Sequence, residues 1–156
     1  MNEGKRFEQK FRESVKKCGF ILRIPDKLTM HGGHLISEQT EADFVAVVGD
    51  ETYLIECKAT NRPRLEFYNV KEHQEQSLHE FDHAGKHSHG ILAVEFYDKK
   101  RYGFANAMFL MPIETWLAFK EETNRKSMPL KVFEERGVKC LYEKGKYQLD
   151  FGAWSA

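Results

Sequence analysis

The chain has 156 residues, 41% hydrophobic and 31% charged, with 24 Lys plus Arg against 24 Asp plus Glu. That balance fits one globular domain over residues 1–156, long enough to bury roughly two thirds of its unfolded surface, and it offers no whole-chain basic field of the kind that coats nucleic acid. The opening MNEGKRFEQKF is polar, no apolar run reaches the ~18 residues of a membrane span, and Cys18, Cys57 and Cys140 form neither a CxxC pair nor a disulfide framework, so a cytoplasmic protein with no membrane contact is expected.

Residues 3–18 predict an amphipathic helix. Phe7, Phe11, Val15 and Cys18 share one stripe, lysines fill the last turn, and Gly19 follows as a stop. Glu8 lies at the edge of that stripe. Lys5, Arg6, Lys10, Arg12, Lys16, Lys17 and Arg23 make a local basic cluster, of which Lys5 and Arg6 are candidate DNA contacts. Residues 25–42, PDKLTMHGGHLISEQTEA, combine Pro, a Gly-Gly pair and polar residues, which predicts a loop or a protruding element.

The segment TEADFVAVVGDETYLIECKAT, residues 40–60, reads as two strands. Gly49-Asp50, with Gly first, suits a two-residue type II′ turn. With Val48 and Glu51 flanking it, Asp43 falls opposite Glu56, with Cβ atoms roughly 4.5–5.5 Å apart; a four-residue loop would leave them diagonal on one face. Lys58 points to the same face. That face also carries Val45, Val47 and Leu54, and the other carries Phe44, Ala46, Val48, Tyr53, Ile55, Cys57 and Ala59. Both faces are largely apolar, as in central strands covered on each side by helices.

Pro63 closes this region, and Asn69 with Glu72 suggests a capped helix ending near Gly85. Its inward stripe is Val70, Gln74, Leu78, Phe81 and Ala84, with a polar Gln in a core-facing position. Residues 90–97 predict a strand, 98–101 a turn, and 101–111 contain a further strand. Pro112 opens a helix with Trp116, Leu117 and Phe119 inward. A short helix near 130–136 and a strand in KYQLDF follow. His79 and His83, at helical i and i+4, with His87 and His89 beyond, invite a zinc site, but a solvated helix end explains them and no acidic or Cys ligand is evident nearby.

Charges on a buried hairpin need a partner or a metal. Asp43 and Glu56 can bind Mg²⁺, with Mn²⁺ substituting, and the Cys57 backbone carbonyl between them can be a third ligand. Lys58 can help deprotonate an attacking water or stabilise charge on a phosphate. Arg62 and Arg64, just past the strand, are candidate phosphate contacts.

The Asp…Glu-x-Lys pattern, with a helix Glu before it and a helix Gln after it, resembles the PD-(D/E)XK nuclease superfamily, the Pro-Asp reading EAD here. EADFVAVVGDETYLIECKAT, the later NVKEHQEQSLHEFDHAGKHSHGILAVEFYDKKRYGFANAMFLMPIETW and the basic NRKSMPLKVFEERG are similar to RecU-type Holliday junction resolvases over roughly residues 4–152. The resemblance implies an α/β fold, a central mixed β-sheet flanked by helices in a restriction-endonuclease-like core, and a homodimer cutting opposed strands of four-way branched DNA with Mg²⁺ and no small-molecule cofactor. Asp43 and Glu56 then match the metal ligands, Lys58 the catalytic lysine, Glu8 the acidic residue of the first helix and Gln74 the helix Gln near the site. The family's protruding stalk has only the shorter 20–42 element as its counterpart. A duplex-cutting or nicking relative and a non-catalytic DNA-binding module are the competing readings.

Overall fold

The computed structural model of the chain describes residues 2–38, 40–97 and 107–151. Helix α1 (Glu3–Lys16) begins where the Asn2 side chain accepts the Lys5 N–H at 2.8 Å. Phe7, Phe11 and Val15 are fully buried. Cys18, placed on their stripe by spacing alone, lies past the helix end and is exposed.

The segment expected over 25–42 as a loop or a protruding element contains a two-stranded ribbon. Residues Phe20–Arg23 form β1, and Lys27–His31 (β2) and His34–Glu38 (β3) form an antiparallel hairpin. Gly32 and Gly33 turn it at φ +57° and +81°, the two positive values that a type I′ turn needs. Leu28, Met30 and Leu35 are all more than 60% exposed on this ribbon.

Strands β4 (Phe44–Val48) and β5 (Glu51–Thr60) pair in the expected register, from Val48 with Glu51 to Phe44 with Ile55. Gly49 takes φ +61° and Asp50 stays outside that region, as a type II′ turn requires. After β6 (Arg64–Glu66) and a 3₁₀ turn at Phe67–Asn69 comes helix α2 (Glu72–Asp82), which returns the chain to β7 (Ser88–Phe96), parallel to β5. Asn69 is therefore not the cap: Lys71 occupies that position. The helix also stops at Asp82, short of Gly85, and Ala84 is exposed.

Next come β8 (Ala107–Pro112), α3 (Ile113–Glu122), β9 (Ser127–Pro129), α4 (Leu130–Arg136), β10 (Val138–Glu143) and β11 (Lys146–Tyr147). The turn expected at 98–101, and residues 101–106, lie outside the described residues. The strand expected across 146–151 is confined to Lys146–Tyr147 and pairs with β10, which periodicity did not reveal.

The result is an α/β architecture around a seven-stranded mixed sheet, ordered β1-β4-β5-β7-β8-β10-β11. The alternation along β4 and β5 sorts their side chains into two layers. Phe44, Ala46, Tyr53 and Ile55 pack with α1, whereas Leu54 joins Leu78, Trp116 and Phe133 from α2, α3 and α4. Val47 departs from the expected pattern, 40% exposed beside the edge strand β1. Gly90 lets β7 touch α2 closely, since a Cβ there would lie 2.0 Å from the Leu78 carbonyl oxygen. Among the described residues no helix is long and apolar enough to cross a membrane.

Candidate active site

The β4–β5 ladder ends at Phe44 and Ile55, and side chains take over one residue further on. Asp43 donates its N–H to the Ile55 carbonyl at 3.0 Å. Its Oδ2 accepts the Cys57 N–H at 2.8 Å. The carboxylate thus replaces β4 as the partner of that stretch of β5, which holds the Asp43 side chain in place. Because N–H and C=O of an extended residue point to the same strand edge, the Cys57 carbonyl is directed towards Asp43 as well.

Glu56, only 2% exposed, points to the α2 layer. Its Oε2 accepts Gln74 Nε2 at 2.8 Å and lies 3.0 Å from Lys58 Nζ. Gln74 is itself oriented: its Oε1 accepts the Lys71 N–H at 3.0 Å, the reciprocal half of a capping box. One amide therefore starts a helix with its oxygen and holds a carboxylate with its nitrogen.

Glu8 enters from α1 on the opposite layer, with Arg23 Nη1 3.7 Å from its Oε1. A cavity of about 260 Å³ brings together Glu8, Asp43, Glu56, Cys57, Lys58 and Gln74, with Gly4, Arg23, Asp26 and Thr40 completing its wall. Asp26 and Thr40 carry no spacing signal in the sequence. They arrive because the β2–β3 hairpin brings the chain back to the site on both of its flanks.

Burial, followed by the charge of Asp43, pushes the Glu8 carboxyl up to about 7. The same two causes, in the same order, push Glu56 up to about 8 against the pull of the Lys58 ammonium. Both carboxyls are within hydrogen-bonding reach of Asp43. Glu56 Oε1 is buried with no hydrogen-bond donor. Acceptors that face acceptors call for a proton or a cation between them. An all-oxygen donor set suits a hard divalent cation such as Mg²⁺, so the residues present fit a metal held by Asp43, Glu56 and the Cys57 carbonyl.

The basic candidates lie outside the cavity wall. Lys5 borders a neighbouring groove of about 350 Å³ with Glu8, Arg12 and Arg23. Arg6 is 3.0 Å from Glu3. Arg62 is exposed, its backbone N–H donating to Thr60 Oγ1 at 3.2 Å. Arg64 Nε donates to Glu66 Oε1 at 2.7 Å on β6.

The sequence model of the family described as Recombination protein U (RecU) matches residues 27–154. The fold is similar to that of Archaeoglobus fulgidus Hjc, a Holliday junction resolvase from an archaeal hyperthermophile: TM-score 0.56 at 20% identity, over 87% of this chain and 95% of that one. No curated protein sequence matches.

Proposed function

Because the chain belongs to the RecU family, we propose that it is a metal-dependent endonuclease that resolves four-way DNA junctions by paired nicks, acting as a homodimer. The observation that carries the chemistry is the donor-less, buried Glu56 Oε1 beside Asp43, in a cavity that Glu8 also lines.

When bound, Mg²⁺ or Mn²⁺ supplies polarisation of the scissile phosphate and a water of lowered pKa. Asp43, Glu56 and the Cys57 carbonyl are its holders in this reading. Lys58, kept 3.0 Å from Glu56 Oε2, presents its remaining ammonium protons to the phosphate oxygens as charge grows on them. Glu8, at the opposite wall, accepts a hydrogen bond from the attacking water and orients it. Gln74 is a positioning residue that acts through Glu56. The water oxygen bonds to phosphorus as the P–O3′ bond breaks, and the proton the water gives up to solvent is matched by the one O3′ takes from it, leaving a 5′-phosphate and a 3′-hydroxyl.

Cutting two opposed strands requires two sites related by a twofold axis. The edge strand β1, with Phe20 61% and Leu22 56% exposed, supports self-association. The β2–β3 hairpin is the counterpart of the family's stalk and the element offered to the junction centre, with Arg62 and Lys5 as backbone-phosphate contacts.

An end-labelled four-way junction, its linear arms and a fork, each incubated without metal, with Mg²⁺ and with Mn²⁺, test the proposal. Paired nicks in the junction alone, and only with metal, are expected. Equal cutting of every substrate would point instead to a duplex-cutting relative, and no cutting with either metal to a binding module.

A further inference from the structure

His79 and His83 lie one turn apart at the end of α2, and Glu114 stands opposite them in the first turn of α3. His79 Nδ1 is 2.5 Å from Glu114 Oε1, and His83 Nε2 is 3.1 Å from the same oxygen. The two imidazole rings are 4.5 Å apart between centroids. One ligand atom from each of the three residues lies within 4.8 Å of the others. An i, i+4 histidine pair alone is a weak signal, since a solvated helix end explains it. The third donor, from a different helix, is what sequence spacing could not supply.

We propose that His79, His83 and Glu114 form a Zn²⁺ site that ties α2 to α3, separate from the Asp43–Glu56 cavity. Bonds of roughly 2.0–2.2 Å to a tetrahedral ion put donor atoms about 3.4 Å apart, which small side-chain rotations reach from this arrangement. Two imidazoles and one carboxylate make a borderline donor set that favours zinc over magnesium, whose preference is for oxygen alone. The side chains are 46%, 60% and 45% exposed, so water completes the coordination. The metal replaces the histidine–carboxylate hydrogen bonds, and its binding displaces any imidazole proton.

The placement gives the site a structural consequence. Further along the same helix pair, Glu75 of α2 accepts Trp116 Nε1 at 2.7 Å and Lys120 Nζ at 3.0 Å from α3. Zinc adds a second clamp between α3 and the helix that carries Gln74. Because the ligands are surface side chains, the fold does not depend on the metal, and zinc raises the stability of an already folded chain.

Zinc binding is measured on the full chain carrying Asp43→Asn and Cys18→Ser, by competition with a chromophoric chelator, together with the thermal midpoint with and without Zn²⁺. The expected result is one zinc per chain and a raised midpoint, both lost on adding His79→Ala with His83→Ala. Glu114→Gln should weaken binding ~10-fold. The metal-free midpoints of all these chains should agree, which separates lost ligation from lost folding. Zinc binding unchanged in the double histidine variant, or no zinc bound by the parent, would overturn the proposal. Neither readout depends on DNA cleavage.

Discussion

Gln74 holds Glu56 by a 2.8 Å hydrogen bond from its Nε2 while its Oε1 is occupied by the backbone N–H of Lys71. The first turn of α2 thus sets the direction of the carboxylate proposed as a metal ligand. Replacing Gln74 by Ala frees Glu56 Oε2 to follow Lys58 alone. Metal affinity, read as the Mn²⁺ concentration giving half-maximal cleavage, should weaken ~10- to 100-fold with unaltered DNA binding. An unchanged metal dependence would remove the positioning role.

Gly90 tests the same coupling from the other side of the helix. A Cβ would sit 2.0 Å from the Leu78 carbonyl oxygen and 2.7 Å from its carbon, and backbone cannot yield as a flexible side chain can. Gly90→Ala should cost ~1–3 kcal/mol in denaturant unfolding, and it should lower cleavage in the residual folded protein because α2 carries Gln74. Wild-type stability would show that the sheet and helix relax freely.

The raised carboxyls make a statement about pH. Glu8 at about 7 and Glu56 at about 8 lie above their ordinary 4.5. Between that value and the raised ones, the folded chain keeps protons that the unfolded chain has released, so the stability of the metal-free protein falls as pH rises through this window. Denaturation in chelator at about pH 5 and about pH 8 should show this loss, Glu56→Gln should flatten it, and Mn²⁺ should restore stability at the higher pH. A flat profile in the unsubstituted chain would contradict the convergence of the three carboxyls.

Arg62 is exposed just beyond the site strand. If it contacts a DNA phosphate, Arg62→Ala lowers the slope of log affinity against log salt by about one and weakens all junction sequences alike. A slope equal to that of the parent chain would rule the contact out.

The parts of the fold legible in the sequence were those fixed by local chemistry. Gly49-Asp50 selected its turn, the turn selected the β4–β5 register, and the register sorted Phe44, Tyr53 and Ile55 from Leu54 onto opposite faces. Gln74 was visible as a polar residue on an apolar stripe. The protruding element over 25–42 was one of two expected alternatives, but its strands were not legible although Gly32-Gly33 is a hairpin signal, because its exposed Leu28, Met30 and Leu35 bury no face that alternation could report. Short β6 and β9 lack a period to read. The Asp43 geometry also departs from a regular pair, since its carboxylate replaces a strand at Cys57, and no residue pattern announces such a substitution. Glu114 needed the packing of α3 on α2 to reach the histidines.

The most direct test of the proposed site is Asp43→Ala, assayed on one four-way junction for binding and for Mg²⁺-dependent cleavage in parallel. Asp43 supplies a carboxylate to the cavity and a hydrogen-bond acceptor to Cys57, whereas the candidate phosphate contacts Lys5 and Arg62 lie outside that cavity's wall. Cleavage should fall at least ~10³-fold, as when an electrostatic partner of the reacting phosphate is removed, with junction affinity retained. A variant that binds and still cuts at the parental rate would contradict the assignment of Asp43, Glu56 and Lys58 as the hydrolytic centre.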